Sequence, residues 1–567
     1  MATCTDSPAR AWKPAAPGRV CAHVGSLAAG LPRASPGPSV AEASIPSTRP
    51  TLTPLLLVEL LAVVAFVALA AWATTRGDVQ GALRPIDPEA LVTGPSQDRW
   101  MGIFFEDQPV GYAVTSQSNT ADGGALVRSR SLFRMVAMGS IQQVITASTA
   151  VLDADKTMKR FEFYMDSDQI KLAVRGEMRP GELHMELVQA GEVQSLDLPM
   201  DQAPAMSMSL ERLLTREELA VGQRFELPYF DPVTLAQDTM QVEVTGVELV
   251  PGTAEEAYWL TTRFAGVESR RLVTPGGETL REEGGLGLSL VRMTREEAES
   301  LLDNSEPVDL IARSAVALSR PIPSARSSQV LEVTVSGVDP ARIPRQPPQQ
   351  QVDGDRIKIM MPLSAEIPSL PRYLADTLWE TNGSPLFLEP PDGPPQPAGP
   401  ELIAALQPGT LIPSDHREIR DAAWGILERT PDRKAAAREL VRWVYAELDK
   451  RPVLSLPNGL EVLRRKEGDC NEHTALYVSL ARAAGIPARI AAGLVYTDQM
   501  DGTPNFYYHA WPEVHLGGDT PWVPVDPTFG QFPADATHIK LVEGDLDRQV
   551  EILGMMGRIQ LEVVEVR

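Results

Sequence analysis

Cysteine is scarce: the 567 residues hold three, Cys4, Cys21 and Cys470. A disulfide-built scaffold is therefore excluded for everything beyond the first two dozen residues. Aromatic residues make up 6% of the chain, and basic residues are outnumbered 52 to 75 by acidic ones, giving a net charge of −23. A surface of that sign repels phosphate backbones, so nucleic acid is not expected as a partner. Long apolar runs are absent but for one, Leu55–Ala73, which spans 19 residues with Glu59 as its single charge. At this length the chain is expected to divide into several domains.

Residues 1–53 are rich in Pro, Ala and Ser and carry Arg10, Lys13, Arg19, Arg33 and Arg49 against Asp6 and Glu42. Such a tail has no periodicity and cannot bury a core. The apolar run that follows nears the ~20 residues a membrane helix needs, with Thr53-Pro54 as its start and Thr74-Thr75-Arg76-Gly77 as its stop. Residues 54–75 are read as a single N-terminal transmembrane helix in preference to a signal peptide, although Ala71-Trp72-Ala73 has a small-x-small cleavage form. The basic excess ahead of the run expects a single pass of the cytoplasmic membrane, with the remainder on the extracytoplasmic side.

Strand-like alternation then dominates residues 95–303. Met101–Phe105 and Val110–Thr115 read as a hairpin, followed by runs at Gln142–Ala150, Lys159–Met165, Gln241–Val247 and Arg270–Val273, with one helical insert at Ser209–Leu219. This predicts an antiparallel β domain, closed by a capped helix from Thr294, and it carries no clustered chemistry. A small β unit is expected over residues 328–366, and the proline-rich segment 389–400 reads as a linker. Beyond it the period becomes 3.6: helices are predicted from Ser414 to Glu428, from Thr430-Pro431 through Leu448, and near Leu460–Lys466. The fold class expected is α+β.

The third helix ends at Gly468, and Asp469-Cys470 opens a fourth that runs to Ala484-Gly485. A thiol at a helix N-terminus meets unpaired N–H groups, which favour thiolate and can receive an oxyanion. A nucleophile also needs a base held in orientation. His509, in the strand-like Phe506–His515, and Asp526, in Trp522–Thr528, supply a base and a carboxylate on two successive extended segments. His473, three residues after Cys470, projects about a turn away on the same helix and is read as a packing or hydrogen-bonding residue, and His515 lies six residues beyond His509 on its strand. Zinc held by Cys470, His473 and His509 lacks the paired-ligand spacing of zinc sites, and no EF-hand loop is present. No cofactor is expected.

Gly468-Asp469-Cys470, Ala484-Gly485-Ile486-Pro487-Ala488-Arg489, His509-Ala510-Trp511 and Trp522-Val523-Pro524-Val525-Asp526-Pro527-Thr528 together resemble the core of the transglutaminase-like superfamily, which shares a papain-like fold with animal transglutaminases. The resemblance covers about Leu402 to His538. It implies a C-terminal papain-like domain over residues 401–567, with Cys470 as nucleophile, His509 as base and acid, and Asp526 as its orienter. The implied activity is acyl transfer at an amide of a peptide or protein substrate, released by water or by an amine. The alternative is a papain-like module that grips a peptide without cleaving it. The second oxyanion donor is not readable, with Trp443 and Asn458 the side chains considered.

Overall fold

The computed structural model describes residues 83–567 apart from internal segments, chiefly 207–218, 310–314, 373–386, 389–395, 452–456 and 499–502. The basic tail, the expected membrane helix at 54–75, the helical insert at 209–219 except Leu219 and most of the proline-rich segment lie outside the described residues.

Val92–Phe105 and Gln108–Thr120 form the predicted hairpin, extended at both ends. Its turn residues Glu106 and Asp107 both take positive φ, 44° and 69°, the backbone hand that matches strand twist. From this hairpin a meander runs outward to Glu192–Pro199 on one side. On the other, Val92–Phe105 pairs with Leu288–Met293, and the sheet continues to Arg224–Phe230. The result is one 15-stranded sheet, all antiparallel but for Val308–Asp309. It curls on itself: Phe161 and Phe230, far apart in hydrogen-bonded order, meet at 5.6 Å in a core with Leu183, Met185 and Leu152. Thr294 then caps Arg295–Ser300 through a reciprocal capping box with Glu297.

The C-terminal region is layered. Its central sheet runs Val316–Ala317, Asn505–Val514, Ala488–Thr497, Ile539–Glu543, with Val523–Pro524 paired to Asn505–Val514. Helices Arg417–Leu427, Arg433–Glu447, Gly459–Arg465 and Cys470–Ala483 cover one face, burying Leu440, Val444, Leu476 and Leu480 against Ile490, Val514 and Val523. The first helix starts three residues after the predicted cap Ser414, and the second is capped by Asp432, whose side chain accepts the Ala435 N–H. The other face packs on a four-stranded sheet in which Gln350–Asp353, Arg356–Met360 and Val330–Ser336 are joined by the C-terminal strand Gln560–Val566.

The α+β expectation is thereby corrected. The described residues are mostly antiparallel β, because strands reach 13 or 14 residues where shorter runs were predicted and because the chain's last segment adds a strand. Among the described residues no helix is long and apolar enough to cross a membrane.

Candidate active site

Cys470 is the first residue of a helix whose positions 472–483 are all buried, so the helix is a core element rather than an amphipathic surface one. Asp469 caps it, accepting from Asn471 N–H at 2.9 Å, while Glu472 Oε2 returns to Asp469 N–H at 3.0 Å. Thr474 Oγ1 donates to the Ala510 carbonyl at 3.1 Å, docking the first turn on the strand that carries His509. Cys470 itself is part-exposed and, among the described residues, has no disulfide partner. Its sulfur lies at the Ala510 N–H, one residue from His509.

The expected lowering of the thiol is overturned. Desolvation pushes Cys470 well above its ordinary value, the Asp469 carboxylate adds to this, and Glu472 and Asp526 follow, with only the Ala510 N–H opposing. The helix end attracts anions, but this one is already satisfied by two carboxylates of its own capping box, so a negative sulfur meets negative neighbours.

His509 pairs across the sheet with Gly493. A Cβ at Gly493 would stand 2.0 Å from the Ile539 carbonyl oxygen, so glycine permits the close approach of the Ile539–Glu543 strand, and with it His538. His509 Nε2 lies 2.9 Å from Asp526 Oδ2, leaving Nδ1 as the nitrogen available to the thiol. Its ring is flanked by Phe529, stacked at 5.1 Å, and Trp511 at 6.2 Å. Asp526 stands just past the short strand Val523–Pro524, in a turn where Oδ1 accepts the N–H groups of Thr528 at 2.7 Å and Phe529 at 2.9 Å. Burial opposes its charge, but His509 and then His538 outweigh that and hold the carboxyl far below its usual range. Thus the structure brings His509 and Asp526 into contact and sets Cys470 beside the residue that follows His509.

His473 hydrogen-bonds through Nδ1 to the Asp469 carbonyl at 2.7 Å, and burial lowers it to about 4, which suits a neutral structural histidine. His515 packs edge-on to Trp522 at 5.7 Å, outside the site. Of the two side chains considered for the oxyanion, Asn458 caps Gly459–Arg465 and Trp443 packs against the helical core. The Cys470 N–H is the first-turn donor that the Asp469 cap leaves for an oxyanion. The residue that sequence reasoning gave no role is His538, whose Nε2 lies 3.0 Å from the same Asp526 Oδ2. Its Asp-x-x-His spacing from Asp535 was the one available signal.

The model of the transglutaminase-like superfamily matches residues 420–527. This segment is a transglutaminase-like core. Cys470, His509 and Asp526 all fall within the matched span. No curated protein matches the chain. Among solved structures, a beta-barrel-like protein of a domain of unknown function from Brucella abortus is 14% identical, over 36% of this chain and 97% of its own, at TM-score 0.30. A candidate cysteine protease from Cytophaga hutchinsonii is 11% identical over 44% and 82%, at 0.25. A candidate protease from Parabacteroides distasonis is 10% identical over 74% and 70%, at 0.17. TM-scores this low carry no inference about fold or activity.

His509 and Asp526 of this core and His538 just beyond it offer three ligand atoms within 4.8 Å of one another. Both imidazoles direct a nitrogen at one carboxylate oxygen at hydrogen-bond distance. A nitrogen that donates a proton has no lone pair for a metal, so the cluster is accounted for by hydrogen bonds.

Proposed function

We propose that the C-terminal region is a thiol enzyme acting on amide bonds of a peptide or protein through an acyl-enzyme. The observation that carries this is the 2.9 Å contact from His509 Nε2 to Asp526 Oδ2, which fixes the ring with Nδ1 left for Cys470. His509 Nδ1 takes the thiol proton as sulfur bonds to the carbonyl carbon. The oxyanion is received by the Cys470 N–H, and the imidazolium then gives its proton to the leaving amine. Water or a second amine, deprotonated by His509, attacks the thioester and releases the acyl group. Because Cys470 is part-exposed, water is the favoured acceptor, giving a peptidase or amidase.

The raised thiol favours a second reading, a peptide-gripping module without turnover. It fits catalysis equally when the proton is removed only as substrate is attacked, as in serine triads. Cys470→Ala decides between them. On a library of peptide amides it should abolish turnover, and with iodoacetamide it should lose the adduct on the 470 peptide, with the melting temperature nearly unchanged. Turnover that survives this change removes Cys470 as nucleophile.

A further inference from the structure

The side chain of His538 has no exposed surface. Its two ring nitrogens face acceptors: Nε2 lies 3.0 Å from Asp526 Oδ2, and Nδ1 lies 3.0 Å from the Asp535 carbonyl oxygen and 3.5 Å from Asp535 Oδ1. A carbonyl oxygen cannot donate, so Nδ1 carries a proton. Asp526 Oδ2 is an ionised oxygen that also faces His509, so Nε2 carries one as well. Protonated at both nitrogens, His538 is an imidazolium.

Its surroundings close the charge balance. Asp535 accepts from Thr537 N–H at 2.8 Å and from Gln531 Nε2 at 2.8 Å, and pairs with Arg326 Nη1 at 2.9 Å. Asp526 and Asp535 thus face His538 and Arg326, two charges of each sign, with His509 at a ring separation of 5.9 Å. A small cavity bordered by His538, Trp511 and Gln349 also touches Glu513 and Lys540, which pair with each other at 3.0 Å. Burial lowers an imidazole, but Asp535 and then Asp526 outweigh it and hold His538 up at about 9.

We propose that His538 is a positioning residue of the triad: a fixed cation that shares Asp526 Oδ2 with His509 and weakens the carboxylate's hold on the His509 proton. By meeting the same oxygen with a second cation, His538 leaves less of the carboxylate's charge for the His509 ring. The inference rests on the thiol-enzyme reading.

The test uses the full-length chain and needs no substrate. The rate of Cys470 alkylation by iodoacetamide is followed against pH through the 470 peptide, in wild type and in His538→Gln. Glutamine keeps a donor toward Asp526 and removes the charge. Losing a cation makes the coupled pair hold its protons more tightly, so the alkylation midpoint should rise by about one to two pH units. A histidine that only packs would change the rate or the melting temperature and leave the midpoint where it was; that result overturns the proposal. Should His538→Gln not fold, ¹⁵N-histidine spectra of the wild type decide: His538 protonated at both nitrogens at pH 7 supports the role, and a neutral ring refutes it. Failure of the underlying reading is distinct, since turnover in Cys470→Ala would expose it whatever His538 does.

Discussion

In the large sheet Lys171 meets Asp166 at 3.7 Å with side chains 84% and 56% exposed, and Arg263 meets Glu268 at 3.0 Å with 48% and 50%. In the C-terminal core Lys540 meets Glu513 at 3.0 Å with 4% of each exposed, and Asp526 meets His538 at 3.0 Å with none. The same side-chain types therefore do different work. Exposed pairs gain little because water screens them and long side chains lose freedom. Buried ones are tolerated only where every hydrogen-bonding atom is met. Lys540 meets this demand with Glu513, Glu543 and Gln346, while Arg489 bonds Glu513, Glu543, Glu401 and Gln346 and lies over Trp522 at 4.1 Å. The sheet buries charge as well, where Glu186 and Glu162 accept the N–H groups of Leu83 and Ile86 and clasp the incoming chain, and where Arg271 pairs with Glu282 at 2.8 Å. Charge is buried in this molecule where something must be held in place, and the densest such place surrounds His509.

The largest effect short of removing the thiol is expected at Asp526. Asp526→Asn keeps the shape but takes away the charge that orients His509 and compensates His538. In a serine triad the corresponding change costs about 10⁴ in rate. Since the Cys470 thiol is pushed up and His509 must act as a true base, the loss here should approach that value, roughly 10³–10⁴ in kcat. KM should move little. A loss below tenfold in folded protein would mean a thiolate–imidazolium pair already formed at rest, contrary to the electrostatics around Cys470.

Next comes Lys540→Met. It leaves Glu513 buried with Arg489 as its remaining cation, and removing one partner of a buried pair costs about 3–5 kcal/mol. Urea denaturation should show the loss in stability. If the cost is under about 1 kcal/mol, in the range of exposed pairs, the contrast between the two regions fails.

Sequence periodicity carried the sheet and the helices well, because 2-residue and 3.6-residue repeats are local properties. The hairpin at 101–115, the cap at Thr294 and the helix opening at Cys470 all lie where the pattern puts them. What it missed is non-local. The pairing of Val330–Ser336 with the terminal strand joins residues more than 200 positions apart, and no window along the chain contains both. Asp526 and His509 were read on adjacent strands; they meet instead through a turn after Val523–Pro524, a detail of register. The thiol's electrostatics failed for a different reason. The helix N-terminus was legible, but the capping box that fills it with carboxylates reverses the sign, and Asp469 and Glu472 were in plain view. His538 escaped because its contacts are with two carboxylates that only the fold brings together.

The smallest effect is predicted for Lys171→Met, made as the counterpart of Lys540→Met. Both remove an ammonium group, both leave a carboxylate behind, and the change in side-chain chemistry is the same. At position 171 the stranded Asp166 is 56% exposed and is resolvated at once, so no desolvation penalty remains to be collected. Surface substitutions of this kind fall within about 0.5 kcal/mol of wild type. The same urea measurement applied to both variants cancels the chemistry and isolates burial. A Lys171→Met loss approaching that of Lys540→Met would show that the pairs of the large sheet are coupled along its strands, through neighbours such as Arg175 and Glu162 at 3.6 Å, and that exposure alone does not set what a charge is worth in this molecule.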